Sequence, residues 1–203
     1  MKIICVGRNY VAHALELKNE VPDEPVLFIK PGTSYLDYHQ PFVYPDFTKD
    51  LHHECEIVLK VSKKGSKIEE KSALDYVNEI TLGIDFTARD IQTILKEKRL
   101  PWEKAKAFDH AAVIGDFIPF DEILKQKTLH FSLKKNDTTV QDGDSSLMIF
   151  PMPKLISNIS DYFTLLPGDL IFTGTPAGVG PCVKGDRLIG VLEGKEMFSF
   201  EIA

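Results

Sequence analysis

The sequence predicts a mixed, mainly β domain of packed or rolled sheets carrying a few short helices, an α+β architecture dominated by strands. Three observations support this. Short apolar or alternating runs recur from end to end: KIICVG, PVLFIKP, HHECEIVLK, AAVIGDFIPF, LHFSLKKND, TTVQDGD, DLIFTGTP and RLIGVLEGKEMFSFEI. Turn-forming Pro, Gly, Asn and Asp separate them. The few stretches with helical spacing do not alternate with strands as βαβ winding requires.

In chain order, KIICVG reads as a strand ending at Gly7, and NYVAHALELKNE is helix-compatible with Asn9 as a possible N-cap. PVLFIK is an apolar strand closed by Pro31 and Gly32. Pro41, Pro45 and interspersed aromatics then predict an extended, irregular segment up to Asp50. Residues 52–60 read as one strand, followed by the turn SKKGSK. EEKSALDYVNEI reads as a short helix with Ala73, Tyr76, Val77 and Ile80 on one face. TLGIDFTARDIQTILKEK starts as a strand and turns helical near Thr87. Beyond PWEKAKAFDH the chain is mostly β, interrupted by a helix over Pro153–Phe163.

At 203 residues the chain fits a single domain spanning 1–203, with 43% hydrophobic and 27% charged residues, as in an ordinary globular protein. A net charge of −6 argues against nucleic acid and anionic membranes as partners. Cys5, Cys55 and Cys182 form no CxxC, zinc pattern or disulfide framework, so reduced thiols in a cytoplasmic protein are expected. The apolar run in MKIICVGRNY is too short for a signal peptide or a membrane span, and no Arg-rich presequence precedes it.

The chemistry-bearing residues begin in the 52–60 strand. Alternation puts His52, Glu54, Glu56, Val58 and Lys60 on one side and Cys55, Ile57 and Leu59 on the other. Neighbouring carboxylates on one face repel. Either the face is solvated or a cation sits on it. Asp85 favours the cation, because it lies among apolar residues in TLGIDF and an unpartnered buried carboxylate is costly. Three carboxylates from two strands suit a hard divalent ion, Mg²⁺ or Mn²⁺. The adjacent His52 and His53 would suit zinc, but the oxygen-dominated trio points to the harder metals.

Other groups allow two readings each. Arg89 and Gln92 share a helix face and can orient an anionic ligand, or Arg89 can merely pair with Asp90 at the surface. His13 and Glu16, three apart, form either a general-base pair or an ordinary solvated pair. LIFTGTPAGVGP lacks the phosphate-loop pattern. It is either a plain turn or a carboxylate cradle using backbone N–H groups and the hydroxyls of Thr173 and Thr175. No GxSxG, HExxH or GxGxxG is present.

Taken in order, GRNYVAH, EPVLFIKP, HHECEIVLK, GIDFTARD, PWEKAKAFD, SSLMIF and PGDLIFTGTPAGVG resemble the fumarylacetoacetate hydrolase family over nearly the whole chain. The likeness is to its short, single-domain acylpyruvate hydrolase and oxaloacetate decarboxylase-like members, without the extra N-terminal domain of the fumarylacetoacetase proper. The resemblance implies that family's C-terminal-domain fold and a homodimer. It also implies Mg²⁺ or Mn²⁺ held by Glu54, Glu56 and Asp85, and a mobile lid over about 9–22 carrying His13 and Glu16. Lys106 and Thr175 match further site positions. No motif residue departs from the pattern, and Cys55 faces away from the metal.

The expected activity is therefore divalent-metal-dependent hydrolysis of a C–C bond in acylpyruvate-type 2,4-dioxo acids, with oxaloacetate decarboxylation also accessible. His13, oriented by Glu16, would activate water; Lys106 would add positive charge at the developing enolate; Arg89, Gln92 and Thr175 would hold the substrate. The alternative is an isomerase or tautomerase of 2-oxo or 2-hydroxy-dienoate acids or oxaloacetate on the same site. A third reading, a non-catalytic binder of oxo acids, leaves the base without a use.

Overall fold

A computed structural model describes residues 1–123 and 128–203. The first half of the chain contributes β1 (Ile3–Gly7), α1 (Val11–Glu16), β2 (Val26–Lys30), β3 (Tyr35–Asp37), β4 (Leu51–His53), β5 (Cys55–Val61), β6 (Val77–Asp85), β7 (Thr87–Ala88) and α2 (Arg89–Glu97). The second half contributes α3 (Glu103–Lys106), β8 (Ala112–Ile114), β9 (Ile118–Pro119), β10 (His130–Lys135), β11 (Thr138–Asp144), α4 (Met152–Tyr162), β12 (Leu170–Phe172), β13 (Gly180–Cys182), β14 (Arg187–Leu192) and β15 (Lys195–Glu201). The mainly β, mixed-sheet architecture predicted from the sequence is the one observed.

The largest sheet runs β2-β1-β12-β5-β6-β8-β3, with β9 also paired to β6; β11-β10-β14-β15 form a second sheet and β13-β4-β7 a third. Among the strands of the described residues two pairings are parallel, β1 with β12 and β3 with β8. The first joins the start of the chain to its last third, so β1 and β12 lie side by side between β2 and β5. The core forms where the curled sheets face each other. On β5, Cys55, Ile57, Leu59 and Val61 enter the main apolar cluster, while Val58 packs on the opposite face with Ile3, Cys5 and Phe172. Both faces of β5 are thus covered, and alternation places Glu56 on the Val58 face.

Glu56 is paired across the ladder with Gly83 of β6. A Cβ on Gly83 would come within 2.9 Å of the Phe172 ring, the Val113 carbonyl and Val58. The missing side chain is what lets these three close beneath the carboxylate.

Four local expectations are corrected. The 52–60 segment is not one strand: it breaks at Glu54, where the chain leaves the small sheet and enters the large one. Asn9 caps no helix; α1 starts after Tyr10 with no side-chain cap. Instead Asn9 is fully buried and donates to the Phe150 and Thr173 carbonyls while accepting from Phe150 N–H. The helix expected across EEKSALDYVNEI is a 3₁₀ segment, Glu70–Tyr76, that gives way to β6 at Val77. Seven residue pairs between β5 and β6, in a stretch rich in β-branched side chains, override the helical spacing. The segment expected to be irregular holds β3, a three-residue strand docked on β8.

Candidate metal centre and active site

Three acidic side chains meet where β5 and β6 end. The β5–β6 ladder sets Cys55 opposite Ile84, and Asp85 N–H donates to the Glu54 carbonyl at 2.8 Å, which draws Glu54, Glu56 and Asp85 together. One oxygen from each lies within 4.8 Å of the others, and the residues are 5%, 2% and 0% exposed. Burying three carboxylates so close together is unfavourable unless cations accompany them.

Two of the three have such partners. Lys106 Nζ lies 2.7 Å from both Glu54 Oε2 and Asp85 Oδ2, and Arg89 donates to Glu54 Oε1. Lys30, fully buried at the end of β2, lies 2.7 Å from Asp85 Oδ1 and donates to the Lys106 and Ala111 carbonyls. Burial alone would raise the Glu54 pKa, but Lys106, Arg89 and His13 outweigh it and hold the group well below the usual carboxylate range. For Lys106, burial opposes the charge, yet Asp85 and Glu54 raise its pKa above the ordinary lysine value.

Glu56 is different. Its polar contact is the Gly174 N–H, 2.6 Å from Oε2, and among the described residues no basic nitrogen reaches ion-pair distance. Burial, then Asp85, then Glu54 push its pKa well above the usual range. Asp85 Oδ1 receives no hydrogen bond of acceptable geometry despite the nearby Lys30. An all-oxygen cluster in which one carboxylate has no basic partner fits a hard divalent cation.

Above the carboxylates lies α1. His13, 4% exposed, places Nδ1 3.4 Å from Glu16 Oε2, and Glu16 Oε1 accepts from Gly178 N–H at 3.0 Å. The carboxylate partner assigns the proton to Nδ1, leaving the Nε2 lone pair free. Burial lowers the His13 pKa below 6.5, against the opposing pull of Glu54 and Glu16, so the ring is neutral at pH 7.

The sequence model for the fumarylacetoacetate hydrolase C-terminal domain matches residues 2–199. The chain belongs to the fumarylacetoacetate hydrolase family. It is 42% identical over 200 residues to the mitochondrial oxaloacetate tautomerase of Mus musculus, covering 98% of this chain and 90% of that one. To the mitochondrial oxaloacetate decarboxylase of Dictyostelium discoideum it is 46% identical over 185 residues, covering 91% and 85%. Among solved structures, the fumarylpyruvate hydrolase from Pseudomonas aeruginosa, in complex with Mn²⁺ and pyruvate, superposes with a TM-score of 0.94 at 34% identity, covering 100% of this chain and 89% of that one. No helix among the described residues is long and apolar enough to cross a membrane.

In this family member one cavity of about 30 Å³ is lined by His13, Glu54, Glu56, Asp85, Arg89, Gln92, Lys106 and Thr175. These are the residues singled out from the sequence, Glu16 excepted, which stands behind His13. Arg89 does not pair with Asp90. It donates to Gln92 Oε1 at 2.6 Å, while Asp90 accepts from Thr48 and Lys49. The two histidines beside the cluster stay out of it. His52 bridges Asp50 and Arg89, and His53 donates from Nδ1 to Gln141 Oε1. The glycine-rich loop spends its N–H groups at Gly174 and Gly178 on Glu56 and Glu16, and the Thr173 hydroxyl on the Ile57 carbonyl. Gly174 adopts φ +100°, and a Cβ there would meet Asn9 at 2.6 Å, so this turn needs glycine.

Thr175 is more constrained than expected. Its hydroxyl donates to the Cys55 carbonyl at 2.8 Å and accepts from Gln141 Nε2 at 2.7 Å, which leaves a lone pair, not a proton, for a ligand. Gln141 was missed by the sequence reading. Buried on β11, it holds the Cys55 N–H, His53, Thr175 and the Pro176 carbonyl, using its whole amide. Lys30 was also missed, although a lysine closing the apolar run VLFIK was a visible signal. Arg8, Phe28, Lys96 and Trp102 also form part of the cavity wall.

Proposed function

We propose that this chain is a divalent-metal-dependent enzyme whose reaction turns on the enolate of a small 2-oxo acid, with keto–enol tautomerisation ahead of C–C hydrolysis. The observation that supports this most is the uncompensated Glu56 in a buried trio with Glu54 and Asp85. In this reading the three are metal ligands, for Mg²⁺ or Mn²⁺. When bound there, such an ion would supply Lewis acidity for a 2-oxo group.

The protein's own groups do the rest. Neutral His13 takes a proton at Nε2, from carbon 3 of the substrate when tautomerising, and Glu16 stabilises the imidazolium that results. Lys106, rigid between two carboxylates, adds positive charge beside the developing oxyanion. Gln92 fixes the Arg89 guanidinium, which offers remaining N–H donors to a carboxylate. Thr175 accepts from a hydroxyl such as that of an enol. The segment 9–22 acts as a lid, because a cavity of about 30 Å³ holds little more than one or two waters and must open for a substrate.

Acylpyruvate hydrolysis, placed first by sequence alone, is the second reading. The formed His13–Glu16 pair, equally suited to activating water, supports it, as does the named activity of the fumarylpyruvate hydrolase. The names of the curated relatives, oxaloacetate tautomerase and decarboxylase, favour enolate chemistry without an attacking water. We further propose one catalytic domain over 1–203 that works as a homodimer. Its buried free thiols and acidic composition support the cytoplasm as its compartment, with mitochondria, the site in the relatives' names, as the alternative. Product analysis on oxaloacetate and acylpyruvates with added Mg²⁺ or Mn²⁺ tests the order: enol interconversion without new pyruvate supports tautomerisation, and stoichiometric pyruvate plus the free acid reverses it.

A further inference from the structure

We propose that Arg8 and Lys96 form an anion subsite beside the carboxylate cluster, selecting 2-oxo acids that carry a second, distal carboxylate. This rests on the 2-oxo acid reading above and narrows its substrate class to 2-oxo dicarboxylates.

Both side chains line the same cavity as Glu54, Glu56, Asp85 and Lys106. The other cations there are committed: Lys106 to Glu54 and Asp85, Arg89 to Glu54, and Lys30, behind them, to Asp85. Arg8 and Lys96 have no carboxylate at ion-pair distance among the described residues. Lys30, Arg89 and Lys106 are thus all engaged with Glu54 and Asp85, whereas Arg8 and Lys96 are the cations of the cavity wall that no carboxylate of the described residues pairs. A half-buried cavity with two such cations complements a dianion better than a monoanion.

Local geometry agrees. Arg89, Gln92 and Lys96 follow i, i+3, i+7 spacing, so α2 turns one polar face to the cavity. Lys96 lies over the Trp102 ring, 5.7 Å from its centroid, and is half-buried. Burial lowers its pKa, and the charges of Arg89 and Arg8 lower it further, with Glu54 pulling the other way, so these cations crowd one another. Arg8 itself sits at φ +61°, an uncommon conformation for a non-glycine residue, at the bend that leads from β1 to α1.

The test is calorimetric binding of 2-oxoglutarate and 2-oxopentanoate to the full chain with Mn²⁺ present. The two acids share the 2-oxo head and carbon count and differ in the distal carboxylate. The wild type should bind 2-oxoglutarate at least about tenfold more tightly. Lys96→Gln and Arg8→Gly, the latter suited to the left-handed backbone, should each reduce that preference. The double variant should abolish it while moving 2-oxopentanoate by less than about threefold. Equal affinities in the wild type, or a preference retained in a folded double variant, overturn the subsite. If neither acid binds, the 2-oxo acid reading itself fails and the subsite with it.

Discussion

At Glu56, burial and the charges of Asp85 and Glu54 favour the protonated carboxyl, opposed by the charge of Lys106 and then by the Gly174 N–H. Glu56→Gln keeps the shape and the hydrogen bond from Gly174 but removes the charge. Mn²⁺ affinity by calorimetry should fall sharply with the fold intact; unchanged affinity would move the metal elsewhere. His13 is the companion case. Its alanine variant should lose about 10²–10⁴-fold in turnover, the usual contribution of a positioned base, while metal binding holds. Loss of Glu16 should not add to that in the double variant, since one residue acts through the other. Because burial depresses the His13 pKa, the acid limb of the pH–rate profile should lie below 6.5, with rate falling as pH drops through it. His53 gives a stability prediction. Burial lowers its pKa to about 4 in the fold, against about 6.5 unfolded, so the unfolded chain binds the extra proton in that window. The stabilisation is present above pH 6.5 and is lost as pH falls to 4, up to about 3 kcal/mol. Comparing denaturant midpoints of wild type and His53→Gln across this range isolates it from the other titrating groups; parallel curves would refute it.

Among the elements, α1 is weakly secured. It is six residues long, lacks a side-chain cap and exposes Val11 and Leu15, and its inward contacts are His13 and Ala14. Amide exchange over 9–22 should slow when oxalate and Mg²⁺ are added, as expected of a lid drawn from the low-stability end of the structure; equal exchange rates would argue that the segment is fixed. The β5–β6 pair behaves oppositely. Gly83→Ala should cost about 1–3 kcal/mol through overpacking against Phe172 and Val58, and would disturb Glu56 across the ladder. These elements also show what the sequence could and could not convey. Alternation in HHECEIVLK announced β5 and its two faces, because pleating is local. The Ala73–Ile80 spacing misled because pairing with β5, a tertiary effect, decided between helix and strand. Asn9 read as a cap because Asn favours helix starts, whereas its actual partners, Phe150 and Thr173, lie far along the chain.

For the whole molecule, strand content was legible and strand order was not. Nothing in KIICVG indicates that it lies parallel to LIF 167 residues later. The acidic trio was visible because its residues stand on adjacent strands. The places of Lys30 against Asp85, of the unpaired Arg8 and Lys96 in the cavity wall, and of the buried Gln141 were not, because they arise only once distant segments converge. The proposed homodimer should appear as twice 22.9 kDa by light scattering, and a monomeric mass would remove it. The central claim, metal-dependent enolate formation at Glu54, Glu56 and Asp85, is common to tautomerisation, decarboxylation and cleavage. Solvent deuterium entry at carbon 3 of a 2-oxo acid, followed by NMR with Mg²⁺ and then with EDTA, tests it most directly. Rapid exchange that EDTA stops and Mg²⁺ restores is the predicted result; exchange no faster than in buffer, or indifferent to EDTA, would contradict it.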